Sequence, residues 1–212
     1  GERVGRKTVA VVTEMDIPLG NAIGNSLEVM EAIDTLKGRG PKDLEEVSFE
    51  LAAKMLELAG KGTSSECMAR VQEVIQNGKA VLKLSEMITR QGGDASVIED
   101  YTKFGTAAIE HEVYADRDGY IETIRTDALG IAAMVLGAGR ETKESAIDYS
   151  AGIVLYKKTG MGIRKGDLMA KFFTSAEERI REAEEIFRSC MVVSGNKTEI
   201  KPLILASVDT AG

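Results

Sequence analysis

The chain has 212 residues, of which 43% are hydrophobic and 29% charged, and its formal net charge is −7. This is the composition of a globular protein with room for one large or two small domains. The positive residues are scattered rather than gathered into a stripe, so the composition excludes nucleic acid and anionic membrane as expected partners. The longest apolar run, residues 131–136, is too short to span a bilayer.

The remaining compositional features predict a cytoplasmic protein. The N-terminal residues lack the apolar core of a signal peptide. The two cysteines, Cys67 and Cys190, are far apart and lie in helical or apolar contexts, which favours two buried, reduced thiols over a disulfide. A buried strand at Thr8–Thr13, with no earlier element to pair with, also suggests a fragment of a longer chain.

Residues 1–105 are dominated by helical patterns. After the first strand, apolar residues recur every three or four positions, as in amphipathic helices. Thr63 and Glu66 form a capping-box pattern at the start of the third helix. The predicted helices are residues 26–37, residues 42–59, a helix that opens at the capping box 63–66 and runs to 77–78, and residues 79–90.

Residues 106–212 are predicted to form a second domain in which strands dominate, with the boundary near residue 105. The segment D-R-D-G, residues 116–119, is a strong hairpin signal between strands at 110–115 and 120–125, because Asp-Gly tolerates positive φ. A small apolar helix is predicted at 127–136, followed by a loop. The remaining predictions are a strand at 153–156, a hairpin-rich section at 157–174, a helix at 175–188 and a closing strand at 202–208.

The stretch P-L-G-N-A-I-G-N-S-L-E-V-M-E, residues 18–31, has two interpretations. In the first, proline and glycine end the strand, Asn25 or Ser26 caps the next helix, and early glutamates suit the positive end of the helix dipole. In the second, bent backbone turns carbonyl oxygens inward and a glutamate one turn along completes a site for a hard cation. The spacing alone favours the first interpretation.

Other candidate sites are weaker. His111, the one histidine, lies in a strand-like run and is expected to be structural, because catalysis would need a base and an orienting partner. The Gly137–Arg140 loop could bind an anion, but it follows a helix and so lacks the dinucleotide-binding arrangement. The K-G-D turn at 165–167 has the look of a lipoyl- or biotinyl-type sandwich hairpin. The partner turn D-R-D-G has no lysine, so carrier chemistry is not supported.

Long runs of the sequence resemble one enzyme family. The run from Gly5 to Pro41 resembles the region just past the middle of pyrimidine-nucleoside and thymidine phosphorylases. D-G-Y-I at 118–121, A-L-G-I-A-A-M-V-L-G-A-G-R-E-T-K-E-S-A-I-D at 128–148 and I-R-K-G-D-L at 163–168 resemble the C-terminal portion of the same family. Members transfer a pentosyl group from a pyrimidine nucleoside to inorganic phosphate in nucleoside salvage, and they are typically homodimers.

The resemblance implies a fold and a metal site. Residues 1–105 would be the C-terminal part of the α/β catalytic domain, and residues 106–212 a barrel-sandwich-like (α/β-hammerhead) C-terminal domain. Bacterial members bind a potassium ion through two loop carbonyls and a glutamate, which fall here on Leu19, Ala22 and Glu31. The Arg140 loop lies where members have a mobile segment near the cleft, which implies a role in closure.

The family's phosphate loop and its pyrimidine-binding residues have no counterpart in these 212 residues. Phosphate and pyrimidine nucleoside would therefore bind through an absent N-terminal half. We expect no catalytic residue in this chain, no activity from it alone, and an incomplete potassium site. The alternative is a non-catalytic interaction or scaffold module that has kept the fold.

Overall fold

The computed structural model describes residue 3, residues 5–140 and residues 142–209. Within these residues the chain is a mixed α and β protein whose sheets are all antiparallel, which confirms the mixed fold class. The strands are β1 Val9–Thr13, β2 Ala22–Ile23, β3 Ile109–Tyr114, β4 Gly119–Ile124, β5 Gly152–Leu155, β6 Gly162–Ile163, β7 Leu168–Thr174, β8 Met191–Ser194 and β9 Ile204–Asp209. The helices are α1 Asn25–Leu36, α2 Lys42–Leu58, α3 Ser64–Gln76, α4 Lys79–Arg90, α5 Thr126–Ala133 and α6 Ile180–Cys190.

The chain divides into two compact units that interleave along the sequence. Unit 1 comprises the described residues of 1–15, 33–95 and 201–212. Unit 2 comprises the described residues of 16–32 and 96–200. The family-domain boundary near residue 105 stays a prediction.

Unit 1 combines a two-stranded sheet with the helices α2, α3 and α4. β1 pairs antiparallel with β9, so the first predicted strand has a partner from the far end of the sequence. Ala53, Cys67 and Val71 form its small buried cluster of apolar side chains. The three helices match their predicted positions closely, and the predicted capping box is present at Thr63.

Unit 2 contains two sheets and a larger core. One sheet has the strand order β2-β5-β7-β3 and the other β6-β4-β8. Val113 and Phe172 from the first sheet, Ile121 from the second and Phe187 from α6 are fully buried in one apolar cluster. Helix α5 adds Leu129 and several alanines to the same core. The small alanine side chains let the helix pack closely against its neighbours.

The predicted D-R-D-G hairpin is wrong, because β3 and β4 belong to different sheets. β3 pairs with β7, whereas β4 pairs with β6 and β8. The segment after β3 bonds instead to the K-G-D turn: Ala115 N donates to Asp167 O at 2.9 Å, and Lys165 N donates to Asp118 Oδ1 at 2.7 Å. The Asp-Gly signal marked a real change of direction, but the pairing was decided by contacts distant in sequence.

Smaller differences occur at element ends. α5 ends at Ala133 and is followed by a π turn over 134–138, and α6 begins at Ile180 after a short 3-10 turn. Strands β2 and β8 were not predicted. Both cysteines are free and buried, as predicted. Within the described residues, no helix is both long enough and apolar enough to cross a membrane.

Candidate cation-binding loop

The candidate loop is formed by residues 18–24, between β1 and the first turn of α1. Gly20 has a φ of +71°, a backbone conformation that side chains with a Cβ rarely adopt. A Cβ placed on Gly20 would also lie only 2.2 Å from Glu31 Oε2. Glycine is therefore required twice here: for the bend, and to let the glutamate lie against the backbone.

The Glu31 carboxylate closes the loop from the side of α1. Its Oε1 accepts hydrogen bonds from Asn21 N at 2.9 Å and Ala22 N at 3.1 Å. Hydrogen bonds to an ionised carboxylate are stronger than those between neutral groups. The predicted glutamate thus lies at the loop that carries the two predicted carbonyls.

The ladder between β2 and β5 fixes the direction of the Ala22 backbone groups. Leu155 N donates to Asn21 O at 2.8 Å, and Ala22 lies opposite Val154 in the register. Hydrogen-bonded pairs alternate with non-bonded pairs in an antiparallel ladder, so the Ala22 N–H and C=O point away from β5. Because β2 is the end strand of this sheet, the Ala22 carbonyl faces the side on which Glu31 lies.

A lysine that the sequence analysis missed also reaches the loop. Lys158 is only 9% exposed, and its Nζ donates to Gly20 O at 2.8 Å. Its neighbour Lys157 is paired with Asp167 instead, at 2.9 Å. In the sequence the two lysines stand side by side in a polar turn, and no local signal tells which one is buried.

The first turn of α1 carries structural contacts. Glu28 Oε1 accepts a hydrogen bond from Gly24 N at 2.9 Å, so this glutamate serves the start of the helix. Asn25 Nδ2 donates to Ala138 O at 2.7 Å, and Ser26 N donates to Tyr149 O at 3.1 Å. These two bonds hold both ends of the segment that contains Arg140.

Arg140 itself is exposed. Anion binding by the Gly137–Arg140 loop, and a role for Arg140 in closure, stay predictions.

His111 has a structural arrangement. Its Nε2 lies 2.7 Å from Glu184 Oε2 on α6, and Arg188 holds the other carboxylate oxygen of Glu184. Burial raises the pKa of the Glu184 carboxyl, but the hydrogen bonds from His111 and Arg188 outweigh burial and leave this pKa below its ordinary value. The histidine therefore links β3 to α6, in agreement with a structural role.

The donor set at the loop suits a monovalent cation better than a transition metal. Within the described residues, no three His, Cys, Asp or Glu side chains come together as metal ligands. The predicted ligands are two peptide carbonyls and one carboxylate, all hard oxygen donors. The Glu31 carboxylate and the Ala22 carbonyl lie on the same side of the loop, so these residues fit such an ion.

A separate cavity of about 760 Å³ lies elsewhere in unit 2. The residues lining it include Asp118, Tyr120, Arg164 and Asp167, and none of the predicted cation ligands is among them. Asp118 and Asp167 are already engaged in the backbone contacts of their turns. The cavity is therefore distinct from the loop site.

Comparison with known proteins shows which proteins this chain is similar to. Residues 120–194 match the sequence model of the pyrimidine nucleoside phosphorylase C-terminal domain. The match covers β4, α5, β5, β6, β7, α6 and β8, the greater part of unit 2.

Similarity to whole enzymes extends further along the chain. The chain is 47% identical over 178 residues to the pyrimidine-nucleoside phosphorylase of Bacillus subtilis, and 46% identical over 179 residues to that of Geobacillus stearothermophilus. The Staphylococcus epidermidis enzyme is 45% identical over 179 residues. These matches take in 84% of the chain and confirm the predicted resemblance to the C-terminal region of this family. The chain spans 41% of the length of each of these relatives.

Proposed function

We propose that this chain supplies the C-terminal portion of an enzyme that transfers a pentosyl group from a pyrimidine nucleoside to inorganic phosphate, in nucleoside salvage. The observation that carries the proposal is the sequence identity of 45–47% over 84% of the chain to pyrimidine-nucleoside phosphorylases. A cytoplasmic location and a homodimeric whole enzyme belong to the same proposal.

In this proposal the chain and the remainder of the enzyme divide the work. The groups that neutralise the attacking phosphate and the departing base would come from the other portion, since this chain has no phosphate-loop or base-binding motif. The chain alone would be inactive. Unit 2 would form the barrel-sandwich-like C-terminal domain, a proposal supported by its two sheets and by the bonds between the 115–118 segment and the K-G-D turn.

We propose further that the loop holds a potassium ion through the carbonyl oxygens of Leu19 and Ala22 and the carboxylate of Glu31. Support comes from the position of Glu31 against Gly20 and from the direction of the Ala22 carbonyl. When bound, the ion would supply one positive charge that draws together oxygens of this loop and of the phosphate-binding portion. Glu31 would hold its side of that junction, while its bonds to Asn21 and Ala22 keep the backbone bent.

A complementation assay tests the enzymatic proposal. The chain is mixed with a separately produced polypeptide that carries the rest of the Bacillus subtilis enzyme, and uracil release from uridine is followed with and without phosphate. We expect phosphate-dependent release from the mixture and none from either part alone. A complex that forms but never releases uracil would instead favour the non-catalytic scaffold module.

Glu31→Gln tests the potassium site in an active complex or whole enzyme. The variant keeps the side-chain size but removes the charge, so we expect activation by potassium chloride over choline chloride to disappear. Glu28→Gln is the matched control, because Glu28 bonds to Gly24 N at the helix start; it should keep the potassium response. Undiminished activation of the Glu31→Gln enzyme would overturn the assignment.

A further inference from the structure

Lys158 is a buried cation in the part of unit 2 that the structure describes. Its side chain is 9% exposed, and burying an ammonium group is costly unless strong hydrogen bonds compensate. The Gly20 carbonyl supplies one such bond, at 2.8 Å. Lysine is seldom this buried in proteins, which makes the contact with a functional loop informative.

The lysine and Glu31 act on the same peptide group. The carbonyl of Gly20 and the N–H of Asn21 belong to one planar peptide unit, in which they point in opposite directions. Lys158 Nζ donates to that carbonyl, and Glu31 Oε1 accepts from that N–H at 2.9 Å. The Gly20–Asn21 peptide is thus clamped from both sides by groups of opposite charge.

This clamp lies between the two predicted carbonyl ligands. Leu19 precedes the clamped peptide and Ala22 follows it, so the orientation of its plane limits the directions that both carbonyls can take. Gly20 has no Cβ and would otherwise allow the plane to turn. Fixing that plane before an ion arrives lowers the conformational entropy lost on binding.

We propose that Lys158 is a positioning residue: it clamps the Gly20–Asn21 peptide against Glu31 and sets the loop backbone in advance for a monovalent cation. The part about the cation rests on the proposed potassium site. The clamp itself is a property of this chain and is testable without any ion.

The test is hydrogen–deuterium exchange of the full 212-residue chain, first in choline chloride without potassium. The variant is Lys158→Met, which keeps an unbranched side chain one atom shorter but has no donor. The matched control is Lys157→Met, which changes the adjacent lysine and breaks only the pair with Asp167. The amides of Asn21 and Ala22 report on the loop, and those of β7 report on the core of unit 2.

We expect Lys158→Met to speed exchange at Asn21 and Ala22 about tenfold or more relative to β7, since a hydrogen bond from a charged donor is lost. Lys157→Met should leave these amides within about twofold of the wild type, because a partly exposed ion pair contributes little to stability. If β7 exchange also rises, the comparison is made with Lys158→Arg, which retains a charged donor. Faster loop exchange in the Met variant than in the Arg variant supports the clamp.

Adding potassium chloride to the active complex or whole enzyme, in which the other portion completes the cation site, then separates the two proposals. If potassium, but not choline, slows the loop amides of Lys158→Met again, both the clamp and the cation site are supported. If exchange rises in the variant and potassium has no effect on it or on the wild type, the clamp stands and the potassium proposal fails. Wild-type exchange rates in Lys158→Met would overturn the clamp, whatever potassium does.

Discussion

The helices of unit 1 and the sheets of unit 2 are stabilised in different ways. In unit 2, Phe172, Ile121 and Phe187 are at most 1% exposed and lie in one continuous core. In unit 1 the buried apolar cluster of α2 and α3 is small, while Met55 and Leu82 are each 68% exposed. Apolar burial therefore contributes much more to unit 2 than to the helices of unit 1.

Local interactions carry more of the stability of the unit 1 helices. α3 begins with a complete capping box, in which Thr63 N donates to Glu66 Oε2 at 2.8 Å. On α4, Glu86 is paired with both Lys83 and Arg90 within one turn in each direction. Such contacts are each worth only tenths of a kcal/mol to about 1 kcal/mol. The comparison predicts large mutational effects in unit 2 and small ones in unit 1.

The largest expected effect is that of Phe187→Ala. The Phe187 ring is 1% exposed and packs edge-on against Phe172, with centroids 5.3 Å apart. Removing it leaves a cavity in the core and should cost about 3–5 kcal/mol. Urea denaturation measures the loss, and amide exchange in β7 locates it.

Met55→Ala is the matched control from unit 1, since this side chain is 68% exposed. It should change the free energy of unfolding by no more than about 0.5 kcal/mol. Equal losses for the two variants would break the comparison. Equal loss of protection in the α3 and β7 amides of Phe187→Ala would show that the two regions unfold together.

Gly152→Ala has the next largest expected effect. Gly152 has a φ of +155°, and a Cβ there would lie 2.2 Å from the Ile23 carbonyl oxygen. Backbone strain and the clash together should cost about 2–4 kcal/mol and disturb the β2–β5 pairing next to the loop. Gly166→Ala has a φ of +90° but open space for its Cβ, so it should show the strain alone, about 1–2 kcal/mol. Thermal unfolding of both variants separates the two causes, and equal losses would rule out the clash.

Thr63→Ala tests how much a local capping contact contributes to the stability of a unit 1 helix. It removes the hydroxyl that accepts from Glu66 N and should cost about 1 kcal/mol. Ser64→Ala, one residue further into the helix, should change stability by less than about 0.5 kcal/mol. Exchange of the α3 amides measures both variants. A cost above about 3 kcal/mol for Thr63→Ala would mean that the cap supports more than its own helix.

The same difference explains how much of the fold the sequence could predict. Helix α4 was predicted at 79–90 and is observed at Lys79–Arg90, because periodicity and helix-end glycines are local signals. The β3–β4 hairpin was predicted wrongly, because β3 pairs with β7, some 60 residues away along the chain. Turn residues indicate where a chain bends. The partner of a strand depends instead on contacts between segments that are far apart in the sequence and pack into one core.

The candidate loop, too, was predictable only as far as local sequence patterns and the family resemblance reach. The resemblance to the phosphorylases assigned Leu19, Ala22 and Glu31, and the structure places the Glu31 side chain at the loop. Ion binding by these three residues stays a prediction. The sequence did not predict a role for Lys158, because its burial depends on the segment after β5 lying against the loop, which is distant in sequence. No pattern within the pair Lys157-Lys158 distinguishes the buried lysine from the paired one.

The smallest expected effect comes from a polar contact within the burial-dominated unit 2. The pKa of Glu184 lies below its ordinary value because hydrogen bonds from His111 and Arg188 outweigh the effect of burial. A carboxyl with a lowered pKa in the folded state stabilises the fold above its unfolded-state pKa, and this contribution is lost as pH falls through the folded-state value. Glu184→Gln should therefore cost about 0.5–1 kcal/mol at pH 7, and its difference from the wild type should shrink below about pH 4.5. Urea titrations from pH 7 to pH 3.5 measure that difference.

Glu185→Gln is the control: the Glu185 side chain is 74% exposed, so this variant should differ little from the wild type in stability at any pH. A difference for Glu184→Gln that stays constant down to pH 3.5 would mean that packing of the side chain, rather than its charge, joins β3 to α6.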